Sequence, residues 1–357
     1  MFFIISKSNH SQLHETHKVG KWNIAVDKGW QIDWQSGGIR LEKYLCDLGC
    51  TITCDGENWQ IDTQNMRRFP LWISDSGDTV SNIIVSKKQV HNPHKLSYKN
   101  GQLDIAYEDR PIHCVPGKVV SRHDAEEALC DNLVKQAEKL SESRRELDNA
   151  PIIAPMSKGV DCTLVRAILD YAGVPYTSHR ISENTLGTMS VLKSRQELSG
   201  SPFWGYRQLV NEGEKHIQAT GFNGDEYMSR NPLYVAMYVQ RWNIDLAQEF
   251  DRSGSSYMRN FFDRHYREKI SKFNFPKDPL PQLSDMLIND FQVWHIDDCL
   301  TWTPFADPDF LRLCLSIDAE TAIDQCVHAG LSRSLIKRLS PSRIQEIETN
   351  KNGRLPL

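Results

Sequence analysis

From Pro151 the chain runs through an apolar segment, Pro151-Ile152-Ile153-Ala154-Pro155-Met156, into a small-residue loop with one acid, Ser157-Lys158-Gly159-Val160-Asp161-Cys162-Thr163. The apolar part reads as a short buried strand. Leu164, Val165, Ile168 and Leu169 then set up a helical stripe that Ala172-Gly173 stops. A loop at a strand-to-helix turn offers backbone N–H groups and the positive end of the helix dipole to a phosphate, and Gly159 lets the backbone come close. Asp161 would repel a bare phosphate, so its position there points to a divalent cation shared with the phosphates, that is, to ATP with Mg2+. An ordinary strand-to-helix connection is the competing reading of so short a pattern.

The bulk properties limit the alternatives. With 357 residues, 39% hydrophobic and 25% charged, the chain has room for two domains and the composition of an ordinary soluble protein. A net charge of -4 without a lysine or arginine block argues against a nucleic-acid groove as the main partner surface and favours small molecules. Residues 1–5 are too short for a signal core, and no later segment approaches the ~20 apolar residues of a membrane span, so the expected compartment is the cytoplasm. The nine cysteines are then expected to stay reduced. Cys46, Cys50 and Cys54 recur at a spacing that suggests a metal site. Gly49, however, interrupts any helix, and residues 50–54 alternate like a strand, which favours buried structural thiols. His113-Cys114 and His295-Ile296-Asp297-Asp298 form no ligand pair at helical spacing, and Trp302 and Phe305 are expected in the core. A homo-oligomer is compatible with the sequence.

Residues 1–115 are strand-like, at 2–6, 22–26, 51–54, 59–61, 71–74, 80–85 and 103–107, with Asn, Asp and Gly between them. From Asp124 the pattern is helical: Asp124 can cap, Glu127 stands at the capping-box position, and Leu129, Leu133, Ala137 and Leu140 line one face. Residues 141–149 are charged and read as a helix end or linker. Strands at 151–154, 176–181 and 216–220 then alternate with a helix at 163–171. The fold class expected is α/β, a parallel sheet with flanking helices and its ligands at the carboxyl ends of the strands. After Asn231-Pro232 helices are expected at 233–250, 257–272 and 283–296.

A second strand-loop-helix unit repeats the logic of the first. Ile217-Gln218-Ala219-Thr220-Gly221-Phe222-Asn223-Gly224-Asp225-Glu226 passes from a short strand through small residues to paired acids. If the two strands are neighbours, Asp161 and Asp225 face one crevice and can hold Mg2+ between carboxylates and phosphate oxygens. A solvated acidic helix start is the plainer reading of the second unit taken alone.

The first loop resembles the Ser-Gly-Gly-x-Asp-Ser-Ser loop of the PP-loop ATP pyrophosphatases, matched at Ser157, Gly159, Asp161 and Thr163, with Lys158 and Cys162 in place of a glycine and a serine. With the second unit, the chain resembles the synthetase domain of the asparagine synthetase B-type family. Thr220-Gly221 through Asp225-Glu226 is similar to its Ser-Gly-x-Gly-x-Asp-Glu, and Pro304-Phe305-Ala306-Asp307 to its Pro-Phe-Leu-Asp. Arg333 to Lys337, Leu339 to Ile344 and Lys351-Asn352-Gly353 follow the order of its later elements. This resemblance covers residues 116–357 and implies a PP-loop, HUP-like fold. Residues 1–115 resemble a degenerate form of the family's glutaminase domain, an Ntn-like β-rich unit, through Arg68-Phe69-Pro70-Leu71-Trp72 and Val80-Ser81-Asn82. That domain hydrolyses glutamine with a cysteine directly after the initiator methionine; here residue 2 is Phe, so glutaminase activity is not expected.

The resemblance implies a carbon-nitrogen ligase. A small-molecule carboxylate attacks the α-phosphate of ATP to give an acyl adenylate and pyrophosphate, and an amine or ammonia then displaces AMP. The roles it implies are Ser157, Lys158, Gly159, Cys162 and Thr163 around the phosphates, and Asp161 and Asp225 on Mg2+. Thr220 and Gly221 would lie along the nucleotide, with Lys351 as the charge-stabilising cation. The family has a proton-accepting side chain where this chain has Phe222, which leaves activation to Glu226 or to an amine that arrives uncharged. Residues 300–303 lack the family's Glu-x-Arg. The alternative, suggested by Lys158 and Phe222, is a nucleotide-binding or scaffold relative without chemistry.

Overall fold

The structure, a computed structural model, describes residues 3–8, 15–26, 29–45, 48–63, 71–74, 76–81, 88–90, 95–106, 118–146, 149–156, 159–179, 216–221, 224–228, 231–252, 256–272, 295–296, 299–305 and 307–347.

The described residues between 3 and 106 contribute twelve strands: β1 Phe3–Ser6, β2 Glu15–Val19, β3 Trp22–Val26, β4 Gln31–Gln35, β5 Gly38–Leu45, β6 Leu48–Cys54, β7 Trp59–Thr63, β8 Leu71–Ile73, β9 Thr79–Ser81, β10 Lys88–Val90, β11 Lys95–Lys99 and β12 Gln102–Ala106. They pair antiparallel in two six-stranded sheets, ordered β10-β8-β9-β1-β3-β2 and β12-β11-β7-β6-β5-β4. Alternation decides which side chains are buried: Trp22, Ile24 and Val26 from one sheet, and Ile39, Leu41, Cys50, Ile52, Trp59 and Ile61 from the other, all lie in the core. Trp22 joins the sheets, edge-on to Trp59 at 6.1 Å and to Tyr98 at 5.0 Å, with its indole N–H donating to the Glu57 carbonyl. Cys50 and Cys54 are buried thiols on the same face, as expected. Loss of solvation pushes both of them up from the usual thiol range. Among the described residues no group of three or more potential metal ligands occurs.

The second region begins with α1, Arg122–Glu146. Its cap is Ser121, not the expected Asp124. Ser121 Oγ accepts from the Asp124 N–H at 3.3 Å and donates to the Asp124 carboxylate at 2.8 Å, so Asp124 fills the capping-box position that the sequence reading gave to Glu127. Then follow β13 Ile152–Pro155, α2 Val160–Tyr171, β14 Thr177–His179, β15 His216–Ala219 and α3 Gly224–Tyr227. The α4 helix, Pro232–Gln240, starts as Asn231-Pro232 predicts, with the Asn231 side chain accepting from the Leu233 N–H. The single helix expected over 233–250 is interrupted: Asn243 has φ 57°, and a separate α5, Leu246–Arg252, follows. Next come α6 Ser256–Phe262, a π-turn Asp263–Arg267 and α7 Glu268–Lys272. Residues 283–294 lie outside the described residues. His295–Ile296, expected as a helix end, is strand β16, paired antiparallel with β17 Cys299–Trp302. The chain then forms α8 Pro308–Cys314, α9 Ala319–His328, α10 Gly330–Leu339 and a 3-10 turn Pro341–Glu346.

The sheet here has the order β14-β13-β15-β17-β16, with the first four strands parallel. All four residues of β15 are buried although successive side chains point to opposite faces, so both faces of the sheet are covered at its centre. The mixed α/β architecture with a separate β-rich amino-terminal region matches the coarse expectation. Among the described residues no helix is long and apolar enough to cross a membrane.

Candidate functional site

Parallel pairing brings the carboxyl ends of β13, β15 and β17 to one edge of the sheet. The turns that leave β13 and β15 therefore lie side by side, because Ile152 and Ile153 are in register with Ile217 and Gln218. Gly159 is the N-cap of α2, in extended conformation (φ -68°, ψ 144°), and brings no side chain to the first turn. Thr163 is fully buried; its backbone N–H and its hydroxyl both reach the Gly159 carbonyl, at 3.0 and 2.9 Å. The helix ends as Ala172-Gly173 predicts: Gly173 has φ +64°, its N–H meets the Asp170 carbonyl, and the Val174 N–H meets Leu169.

The two turns touch. A Cβ on Gly221 would stand 2.8 Å from the Cys162 backbone nitrogen and 2.9 Å from the Asp161 carbonyl carbon. A Cβ on Gly224 would stand 2.8 Å from both Cγ and Oδ1 of Asp161. At Gly221 the atoms met are backbone, so a side chain there would force the turns apart, whereas at Gly224 they belong to the Asp161 side chain; the backbone of the second turn is thus seated on the first turn of α2. Asp225 follows Gly224 directly and is exposed. The second turn is fixed from its other side by the Thr220 N–H, which donates to the Trp302 carbonyl of β17 at 2.9 Å, and Thr220 itself is buried.

Gly159, Asp161, Cys162, Thr163, Thr220, Gly221 and Asp225 thus gather at one edge. Ser157, Lys158, Phe222 and Lys351 lie outside the described residues, as does the side chain of Glu226, whose backbone belongs to α3. Trp302 and Phe305 are core, as expected. Asp307 caps α8, accepting from the Asp309 and Phe310 N–H groups, and takes a further bond from the Asn132 side-chain amide of α1 at 3.0 Å.

Sequence reasoning passed over the polar cluster behind the loop. Arg166, in the middle of the apolar stripe of α2, is 1% exposed and pairs with Glu346 at 2.9 Å. Arg343 bridges Glu346 to Asp170 and donates to the Tyr176 hydroxyl at 2.6 Å. Burial, helped by the hydrogen bond to Asp170, pushes Tyr176 up to about 12. A single arginine inside Leu164-Val165-Arg166-Ala167-Ile168-Leu169 was the available signal, since a charge amid core positions demands a partner. No family model and no curated protein matches the chain.

Proposed function

We propose that the chain is an ATP- and Mg2+-dependent, AMP-forming amide ligase of the asparagine synthetase type. In this reading residues 116–357 are a PP-loop, HUP-like ATP pyrophosphatase domain. Residues 1–115 are an Ntn-like β-rich domain without glutaminase activity, whose two facing antiparallel sheets suit that assignment.

The observation that carries the reading is the seating of Gly221 and Gly224 on Asp161 and Cys162. Two turns more than fifty residues apart, each bearing a carboxylate, meet beside a helix N-terminus at the carboxyl edge of a parallel sheet. That is where an anionic ligand gains from backbone N–H groups and the helix dipole. The donor set fits Mg2+, which takes one or two protein carboxylates and completes its shell with phosphate oxygens and water. Asp161 and Asp225 would hold the ion, and its chemistry is to neutralise charge on the phosphates.

The remaining roles are those the resemblance implies. The loop from Ser157 to Cys162 would receive phosphate oxygens through its backbone, and Thr163 supports the loop from within through its bond to Gly159. Thr220 and Gly221 form the wall against which the nucleotide would lie. Lys351 would supply positive charge, and Glu226 would accept the proton released when the amine attacks. The carboxylate oxygen bonds to the α-phosphorus as pyrophosphate leaves; the amine nitrogen then bonds to the acyl carbon as AMP leaves.

Pyrophosphate release with MgATP and a panel of carboxylates and amines tests the proposal. Release that depends on one carboxylate is expected. Binding of MgATP without turnover by any pair would instead favour the nucleotide-binding relative, and absence of binding would overturn both.

A further inference from the structure

Arg166 has an unusual place for an arginine. It stands among Leu164, Val165, Ala167, Ile168 and Leu169, all buried, where a methionine or leucine would pack without desolvating a charge. Its Nη2 reaches two acceptors, Thr163 Oγ1 at 3.2 Å and Glu346 Oε2 at 2.9 Å. Guanidinium groups only donate, so the Thr163 hydroxyl must accept from Arg166 and turn its single proton toward the Gly159 carbonyl, 2.9 Å away. A directed relay therefore runs from Glu346, at the end of the 3-10 turn, through Arg166 and Thr163 to the N-cap of α2. Arg343 secures the far end by bonding both Glu346 and Asp170.

We propose that Arg166 is a positioning residue for the loop at Gly159. It fixes the rotor of Thr163, and through it the Gly159 carbonyl, and ties that geometry to the carboxyl-terminal 3-10 turn by way of Glu346. The inference rests on the nucleotide reading above. It adds that affinity for MgATP depends on a residue which does not line the crevice.

The test separates positioning from packing. Tm and calorimetric MgATP affinity are measured on the full chain as wild type, Arg166→Met, Glu346→Leu, the double variant and Thr163→Val. Glu346→Leu takes a counter-charge from a buried guanidinium and is expected to lower Tm most, whereas Arg166→Met and the double variant, which bury no charge, keep Tm near wild type. The double variant and Thr163→Val are nevertheless expected to bind MgATP about tenfold more weakly, the weight of one hydrogen bond at the loop. Wild-type affinity in either of these two variants overturns the inference and leaves the nucleotide reading standing. A wild-type chain that binds no MgATP overturns both.

Discussion

Gly224 lies directly on the Asp161 carboxylate, so close that a methyl group on Gly224 would stand 2.8 Å from Oδ1. The equivalent methyl on Gly221 would meet backbone atoms of Asp161 and Cys162. Backbone in the first turn of a packed helix yields less readily than a carboxylate. Gly221→Ala is therefore expected to cost about 2–3 kcal/mol of stability and Gly224→Ala about 1 kcal/mol. Urea denaturation of the two variants checks the order; equal and negligible costs would mean that the turns do not touch.

Asp161 and Asp225 occupy adjacent turns but differ in burial, Asp225 being exposed. Asp225→Asn should leave stability within about 0.5 kcal/mol of wild type. Either Asp161→Asn or Asp225→Asn should slow pyrophosphate release on the order of a hundredfold, with partial recovery at raised Mg2+. Rate assays over a Mg2+ titration read this out, and unchanged rates in both variants would remove the carboxylates from the site.

Trp22 is the largest side chain shared by the two amino-terminal sheets, and Trp59 and Tyr98 close around it. Trp22→Ala empties the centre of that core and is expected to cost about 3–5 kcal/mol, seen as a lower urea midpoint. A cost under about 1 kcal/mol would contradict the face-to-face packing of the sheets.

Tyr176 gives a pH signature. Burial first, then its hydrogen bond to Asp170, pushes its phenol up to about 12 from the ordinary value of ~10. The folded state thus favours the neutral phenol; this contribution is complete below about pH 10 and is lost as pH rises towards 12. The urea midpoint should fall more from pH 9 to pH 12 in wild type than in Tyr176→Phe. Tyr238, also pushed up by burial, contributes equally to both chains. Parallel profiles would place Tyr176 in solvent.

Legibility in the sequence followed burial. Trp22–Val26 and Trp59–Thr63 alternate cleanly and were readable, whereas Glu15–Val19 and Gln31–Gln35 were not. Both are edge strands of their sheets: Glu15–Val19 is polar or charged up to Val19, and Gln31–Gln35 does alternate, through Ile32 and Trp34, but over only five residues and with Trp34 turned to solvent. Gly38–Leu45 does alternate, through Ile39 and Leu41, but its interleaved charges obscured it. In the second region the repeated strand-turn-acid pattern made β13 and β15 plausible neighbours before any geometry was known. The contacts of Gly221 and Gly224 with Asp161 could not be read that way, because they depend on strand register. The role of Arg166 was hidden for a related reason: its counter-charge, Glu346, lies 180 residues away.

The most direct measurement is mass spectrometry of the products formed by the wild-type chain from ATP, Mg2+, ammonium and the common amino acids, with Asp161→Asn alongside. Stoichiometric AMP, pyrophosphate and a new amide, lost in Asp161→Asn, is the predicted result. ADP and phosphate in their place, or intact ATP with every acceptor tried, would contradict the account.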